Sequence, residues 1–449
     1  MYINSKFGEI HFMKILTFLI LVGTFCFSQS IYTQVAIDGL TGRYWGISAM
    51  QFEDGSYVIS CNDGSNLSKI VMLDKSGKQT LAKTTNKKEQ WTFGNRPISN
   101  FASGWLNIPI VDTKNKICYN LNSRKGMLTV TIVNEKLESE TIVSDAKPYK
   151  KFQGLYNYTA PVCAFDSEGN PIWAITQNKM GILWVKYNIK EKRLEQKFFE
   201  HEGYSNNVRS GYDGINASVI GFKNDKVWFA RVTARGIGEN TCKITIYSID
   251  NKQNLKSEKE FKLKKPVDNI GIDVKSVNQQ TNINTDKMLF TFHTQAKDVA
   301  WSIRELWFIS FDGSVVQSAK WENNTGTFLM HKELIGSISN NNQARFIIGD
   351  DYGSAIIWDV DYNVSEVTNV STLDKILDDN KLKTPTDQSD RMIFSSFLYE
   401  NVLSDKMKTN IGESLKSGNI PLIFPVKGDN FLLIDGLYKE QSTAYITRF

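Results

Sequence analysis

Aromatic, arginine and aspartate side chains concentrate in the polar connections between the strand-like segments of this chain. Tyrosine and tryptophan rings offer flat apolar faces that pack against a sugar ring, and charged side chains bind its hydroxyls or a uronate carboxylate. The same residue types also pack ordinary loop surfaces, so a purely structural interpretation stays open. The residues that we predict to bind a ligand are Trp91, Arg96, Tyr156, Tyr158, Tyr204, Arg209, Tyr212 and Asp213.

One of these connections, HEGYSNNVRSGYDG from His201, holds the groups needed for a proton abstraction. His201 or Tyr212 would act as the base while Arg209 neutralises a uronate carboxylate, which is the arrangement that a polysaccharide lyase uses. These three residues are the catalytic candidates of the chain. No motif ties them together, so the sequence leaves open whether the protein is an enzyme.

The sequence contains no motif for binding a metal or a cofactor. His201, His293 and His331 are the histidines beyond the N-terminal segment, and no two of them have the spacing of metal ligands. The sequence also contains no CxxC pair, no GxSxG elbow and no phosphate-binding loop. We therefore expect neither a bound metal nor a cofactor.

The connections separate a pattern of strands that recurs along the chain. QFEDGSYVISCNDGSNLSKIVMLDKSGKQTLAK, from Gln51, gives turn, strand, loop, strand, turn and strand, and AFDSEGNPIWAITQNKMGILWVKYNIKEKRLEQKFF, from Ala164, repeats it. This cadence predicts an all-β fold, a β-propeller of about seven blades with its ligands on the face where the inter-blade connections gather. The units are predicted to begin near Tyr44, Phe93, Tyr158, Gly214, Asp273, Phe328 and Pro421.

Two of these phrases carry a resemblance to a known group of proteins. YTAPVCAFDSEGNPIWAI, from Tyr158, and YDGINASVIGFKNDKVWFA, from Tyr212, resemble the blades of secreted bacterial β-propellers of the broad sialidase-like and BNR-like kind. Within the first phrase, Gly169 is expected in a tight hairpin and Trp173 between neighbouring blades. The sialidase Asp box is missing, so the resemblance implies a fold and carries over no catalytic residue.

Both ends of the predicted propeller, residues 29–449, are strand-like. TQVAIDGL, from Thr33, and TAYITRF, from Thr443, are expected to share the last blade, which would remove an open sheet edge. One segment breaks the β pattern, because Leu373, Ile376 and Leu377 have helical spacing. We predict that residues 371–418 form a small, partly helical insertion before the last blade.

The N-terminal segment has the pattern of a signal peptide. Lys14 precedes the apolar run ILTFLILVGTFCF, and small polar residues follow it, so residues 1–28 are predicted to be removed, with translation beginning at Met13. The run is too short to span a bilayer, and no later segment is long and apolar enough for stable membrane insertion. The expected location is secreted, periplasmic or at the cell surface.

The net charge and the cysteine positions bear on the expected partners and on disulfide formation. The formal net charge of +5 is small for 449 residues, and basic residues cluster only locally, so nucleic acid is not an expected partner. Cys61, Cys118, Cys163 and Cys242 all lie in strand-like segments, where buried thiols are favoured over disulfides.

Together these features predict an exported propeller that binds an extracellular ligand, in the first place a glycan or another small polar molecule. The alternative is a polysaccharide-active enzyme, either a lyase or a glycosidase. A second alternative is a cell-surface scaffold with a protein partner, which would show a broad apolar patch in place of a polar pocket.

Overall fold

The computed structural model shows strands and turns, and no helix, in the residues that it describes. Side chains are described within 48–144, 163–200, 221–231 and 245–260. The described backbone comprises residues 32–37, 45–62, 68–86, 89, 91–94, 98–100, 105–124, 127–144, 162–177, 181–200, 215–233, 241–264, 269–276, 287–296, 302–310, 315–320, 333–340, 343–349, 355–361, 366–372, 422–425, 431–435 and 442–447.

The described strands pair into seven antiparallel sheets, which we number along the chain. Sheet 1 contains β2 (Trp45–Gln51), β3 (Tyr57–Asn62), β4 (Ser68–Leu73) and β5 (Gln79–Thr84); sheet 2 contains β6 (Ile98–Asn100), β7 (Trp105–Asp112), β8 (Ile117–Arg124), β9 (Met127–Val133) and β10 (Ser139–Val143); sheet 3 contains β11 (Val162–Phe165), β12 (Pro171–Gln177), β13 (Gly181–Asn188) and β14 (Arg193–Glu200). Sheet 4 contains β15 (Ile215–Lys223), β16 (Lys226–Thr233), β17 (Thr241–Asp250) and β18 (Leu255–Lys264); sheet 5 contains β19 (Asn269–Ser276), β20 (Lys287–Ala296), β21 (Ser302–Ser310) and β22 (Val315–Lys320); sheet 6 contains β23 (Glu333–Asn340), β24 (Gln343–Gly349), β25 (Ala355–Asp361) and β26 (Glu366–Thr372); sheet 7 contains β27 (Leu422–Pro425), β28 (Phe431–Asp435), β29 (Ser442–Thr447) and β1 (Tyr32–Ile37).

The sheets follow one another around a common axis. Within sheets 1 to 6 the spatial order of the strands is their chain order. The first strands of neighbouring sheets contact one another, as β11 does with β15, β15 with β19 and β27 with β2. This is a β-propeller, so the predicted all-β propeller fold is confirmed. The number of blades in the complete chain stays a prediction.

Sheet 7 joins the two ends of the chain. β1 lies beside β29 as the outer strand of the sheet, with Thr33 opposite Ile446 and Val35 opposite Ala444. The prediction that both terminal strands share the last blade is thus confirmed. The pairing covers an edge of β29 that would otherwise be open to association with another chain.

One five-residue turn recurs in the hairpins of sheets 1 to 4. An Asp or Asn at its first position accepts hydrogen bonds from the backbone N–H groups two and four residues later, as Asp74, Asn134, Asp166 and Asp250 do. The fourth residue has positive φ, which glycine adopts most easily: 88° at Gly77 and 82° at Gly169. Leu137 and Gln253 take the same position at 60° and 61°.

The cores lie between neighbouring sheets. Trp173 is fully buried between sheets 2 and 3, in a cluster with Ile108 and Val185. Its indole Nε1 donates a hydrogen bond to the Ile108 carbonyl oxygen, 3.0 Å away. The predicted inter-blade position of this tryptophan is confirmed. A comparable cluster between sheets 3 and 4 contains Trp184 and Phe229.

A buried ion pair supports the first turn of sheet 3. The Asp166 side chain is fully buried, and its Oδ2 lies 2.6 Å from Nζ of Lys186, which is 10% exposed. Burial alone would raise the pKa of Asp166. The Lys186 ammonium and hydrogen bonds from Asn170 outweigh burial, so the pKa lies below its ordinary value.

Several expectations fall outside the described residues. The signal peptide, residues 1–28, and most of the predicted insertion, residues 373–418, are among them. Residues 371 and 372 are the end of β26, in register with β25, and the insertion itself stays a prediction. Among the residues that the structure describes, no helix is long and apolar enough to cross a membrane.

Candidate functional site

The chain reverses direction on two faces of the ring. The hairpin face carries turns inside sheets 1 to 4, among them residues 52–56, 113–116 and 166–170. The connection face is the opposite one, where the last strand of a sheet ends and where β7, β11 and β15 begin. β10 ends there at Val143 and β14 at Glu200, while β15 begins there at Ile215.

The predicted ligand residues belong by sequence to the segments between sheets, and Trp91 is the one that the structure describes. Its ring is only 2% exposed and packs in the core between sheets 1 and 2, beside Phe52 and Phe93. Lys83 covers the ring, with Nζ 5.0 Å from its centroid. A buried ring offers no face for a sugar to stack on, so Trp91 supports the fold at this position. Outside the described residues lie Arg96, Tyr156, Tyr158, His201, Tyr204, Arg209, Tyr212 and Asp213.

The segment Trp91–Gly94 is inserted between sheets 1 and 2. Asn120 on β8 accepts a hydrogen bond from the Thr92 N–H at 3.0 Å, and the Cys118 thiol donates to the Thr92 carbonyl oxygen at 3.3 Å. The Thr92 hydroxyl is hydrogen-bonded to that of Ser60 on β3. These side chains provide partners for backbone groups that have left the sheet ladder. The sequence did not reveal this insertion.

Cys118 is a structural thiol. Burial raises its pKa to about 12, despite hydrogen bonds that favour the thiolate. It therefore stays protonated and serves as a donor. Cys118 and Cys163 are both free, as the strand pattern favoured, and burial raises the pKa of Cys163 as well.

A layer of uncharged polar side chains surrounds this insertion, and we call it the polar seam. Each of its members is at most 7% exposed. The Asn122 amide nitrogen donates to the Asn120 carbonyl oxygen and to Thr131 Oγ1, both at 3.3 Å. The Asn122 side-chain oxygen has no hydrogen-bond partner in the part of the chain that the structure describes. The seam consists of Ser60, Thr92, Asn107, Asn120, Asn122 and Thr131.

The interface between sheets 1 and 2 changes character from one face to the other. Toward the hairpin face it is apolar, with Met72, Val111 and Leu137. Toward the connection face it is polar and consists of the polar seam. Asn122 lies two residues before the end of β8, and its strand partner Asn107 lies near the start of β7; both of these strand ends are at the connection face. Buried polar groups therefore lie beneath the face where the sequence predicts a ligand.

A cleft of about 400 Å³ opens on the hairpin face between the same two sheets. Lys116 crosses it, with Nζ 2.5 Å from Asp54 Oδ2, 3.6 Å from Glu135 Oε2 and 5.6 Å from the centre of the Phe52 ring. Hydrogen bonds from Lys116 and Ser56 lower the pKa of Asp54 to about 2. The Lys116 ammonium is thus paired with two carboxylates of the chain, and the sequence indicated only turns here.

Comparisons with known proteins found solved structures of low sequence identity. No protein-family profile matches the chain, and no curated protein does. An ulvan lyase of polysaccharide lyase family PL25, solved with a bound GlcA–Rha3S oligosaccharide, is 8% identical with a TM-score of 0.46, over 75% of this chain and 87% of its own. The β-propeller domain of the trilobed protease from Pyrococcus furiosus is 10% identical with a TM-score of 0.38, over 74% and 85%. At these identities nothing about activity or ligand follows, and the narrower sialidase-like resemblance stays a prediction.

Proposed function

We propose that this chain is an exported β-propeller that binds an extracellular glycan on its connection face. The observation that carries the proposal is the difference between the two faces of the ring. On the hairpin face, the carboxylates of Asp54 and Asp74 and the ammonium of Lys116 are held by contacts within the chain. On the connection face, a buried polar layer lies beneath segments whose sequences are rich in sugar-binding residue types.

The acidic side chains of the hairpin face accept hydrogen bonds from within their own turns or pair with a lysine of the chain. Asp74 Oδ1 accepts hydrogen bonds from the Ser76 N–H at 2.8 Å and from the Lys78 N–H at 3.0 Å. The Asp54 carboxylate is held by Lys116, as described above. Side chains that already satisfy their own turns would have to give up those contacts to bind a ligand, which costs free energy. This face is therefore the weaker candidate.

The connection face is favoured by the positions of the strand ends. Glu200 and Ile215 are the ends of the strands that flank HEGYSNNVRSGYDG, and Val143 and Val162 flank the segment with Tyr156 and Tyr158. The strand directions bring all four ends to this face, so we expect the flanked residues to share it. Arginine forks and aromatic rings on a single concave face bind sugars through hydroxyls and carboxylates.

A glycan-binding screen on the chain from Gln29 onward tests the proposal. The variants are Arg209→Ala and Tyr212→Phe. Arg193→Ala is the matched control, because Arg193 is exposed on β14 and pairs only with Glu191 and Glu195 among the described residues. We expect the wild type and the control to bind the same glycans and both site variants to lose them. Retention of binding by both site variants would place the site elsewhere.

The same screen separates the alternative functions. Uronate-containing polymers are incubated with the protein, and the ultraviolet absorbance of unsaturated products is followed. Product formation would make the chain a lyase, with His201 or Tyr212 as the base. Binding without product supports a lectin-like propeller. No binding to any glycan refutes the proposal and favours a protein partner.

A further inference from the structure

We infer that the edge of β29 is a strand-binding site that accepts β1 of a second copy of this chain, so that two copies form a dimer by exchanging their N-terminal strands. Within one chain, β1 already occupies this edge, and all six of its residues have a partner on β29. The segment that fits the edge is therefore known, and a second copy carries the same segment. In the exchanged dimer each copy would supply the strand that completes sheet 7 of the other.

The attachment of β1 differs from that of the other outer strands. In sheets 1 to 6 the outer strand is joined to its neighbour in the same sheet by only four or five residues, as β14 is joined to β13 by residues 189–192. β1 is separated from β29 by residues 38–441, and it pairs with no other strand that the structure describes. It can therefore leave its sheet without breaking any other described strand pairing.

The segment between β1 and β2 is long enough for the arrangement within one chain, with length to spare. β1 is the fourth strand of sheet 7, counted from β27, and β27 contacts β2 of sheet 1. Three strand spacings of about 4.8 Å place β1 about 14 Å outward from β27. Residues 38–44 connect Ile37 to Trp45 and reach at most about 27 Å when fully extended. Shortening this segment is therefore a way to forbid the intrachain pairing.

The composition of the two strands favours a second copy as the partner. β1 (YTQVAI) and β29 (STAYIT) contain no charged side chain, whereas the outer strands β14 (RLEQKFFE) and β18 (LKSEKEFKLK) are highly charged. Charges on an edge strand hinder the pairing of a second chain, and β1 lacks them. The exchanged pairing repeats the same six residue pairs, so it differs from the monomer mainly in the entropy of association. A tethered strand has an effective concentration of about millimolar, which favours the monomer in dilute solution.

The first test is a chain from Gln29 onward that lacks residues 39–43. Asp38 and Tyr44 then span at most about 10 Å, which is less than the 14 Å to be crossed. We expect this variant to sediment with twice the mass of the wild type at micromolar concentration. The matched control replaces residues 39–43 by GSGSG, which keeps the length, and should sediment as the wild type does. A shortened variant that is monomeric and as stable as the control would overturn the inference.

The second test uses the chain at full length and decides the question if the shortened variant does not fold. Val35 and Ala444 lie opposite each other in register. Opposite residues of an antiparallel pair are close enough for a disulfide. Val35→Cys and Ala444→Cys, carried by separate copies, are refolded together at about 1 mM, near the effective concentration of the tethered strand, and oxidised.

We expect peptide mass mapping of this mixture to find a disulfide between positions 35 and 444 of different copies. Thr443→Cys replaces Ala444→Cys in the matched control and should give no such disulfide, because adjacent residues of a strand face opposite sides of the sheet. The double variant Val35→Cys/Ala444→Cys should form the disulfide within one chain and remain monomeric. A disulfide in the double variant but none in the mixture would overturn the inference.

Discussion

Replacing Lys186 by methionine should destabilise the protein through the carboxylate that it leaves behind. Asp166 is fully buried and Lys186 nearly so, with 2.6 Å between their charged atoms. Removal of one partner from such a pair costs about 3–5 kcal/mol, since the remaining charge is buried without compensation. Asp166 would keep its hydrogen bonds from the Glu168 and Asn170 N–H groups, at 3.0 and 2.8 Å. We therefore expect a loss near the lower limit, about 3 kcal/mol.

The assay is urea unfolding followed by tryptophan fluorescence, with Lys192→Met as the matched control. Lys192 pairs with Glu140 at 3.3 Å, and the two side chains are 64% and 57% exposed. An exposed pair of this kind contributes at most about 1 kcal/mol. A Lys186→Met variant no less stable than Lys192→Met would refute the assignment of a stabilising buried pair.

The pH dependence gives a second check on the same pair. In the wild type the pKa of Asp166 is depressed, so its contribution is present above the ordinary value of 3.8 and is lost as the pH falls through the lower folded value. In Lys186→Met, burial acts without its counter-charge and raises the pKa of Asp166. The stability difference between wild type and variant should then shrink as the pH falls from neutral toward 3.8. A difference that is constant with pH would contradict the electrostatic explanation.

Three further predictions follow from the turns, the closing strand and the buried thiol. Gln253→Gly should stabilise the protein by about 0.5–1 kcal/mol, because φ at this position is 61° and glycine adopts positive φ without strain. Gly77→Ala should destabilise it by about 1–2 kcal/mol, because φ there is 88°. Urea unfolding midpoints that move in the opposite directions would refute this. Deletion of Tyr32–Ile37 removes every pairing of β1 with β29 and exposes a sheet edge, so the truncated chain should associate in sedimentation experiments. A truncated protein that is monodisperse and as stable as the wild type would contradict the closure of the ring by β1. Cys118, with its pKa raised to about 12, should react with iodoacetamide only in unfolded protein, as peptide mass mapping would show; rapid labelling in the folded state would contradict its burial.

The fold was accessible from the sequence because its signals are local. A turn that starts with Asp and places glycine at the position of positive φ, as Asp166 and Gly169 do, marks a hairpin wherever it occurs. Unit starts predicted at Tyr44 and Gly214 lie one residue before β2 and β15. The terminal strands could be paired because an open edge in a closed ring is unfavourable.

The location of Trp91 could not be read in the same way. WTFGNRP resembles any polar-flanked connection, and its insertion between two sheets depends on Asn120 and Cys118, more than twenty-five residues later in the chain. A signal was nevertheless present: Asn120 and Asn122 alternate with apolar residues in ICYNLN, on one face of a strand that is otherwise buried. The cleft at Lys116 gave no such signal, because it forms where turns of two different sheets meet.

The pairing of β1 with β29 has a consequence for the order of folding. Tyr32 lies opposite Thr447, so the contact that completes the ring joins residues at nearly the largest sequence separation in the chain. Contacts of such separation form slowly, because the entropy of closing the intervening loop opposes them until the other sheets are in place. The N-terminal strand, although synthesised early, must wait without a partner until the last strand has been made. A protein exported in an unfolded state would meet this requirement, since both ends become available together after translocation.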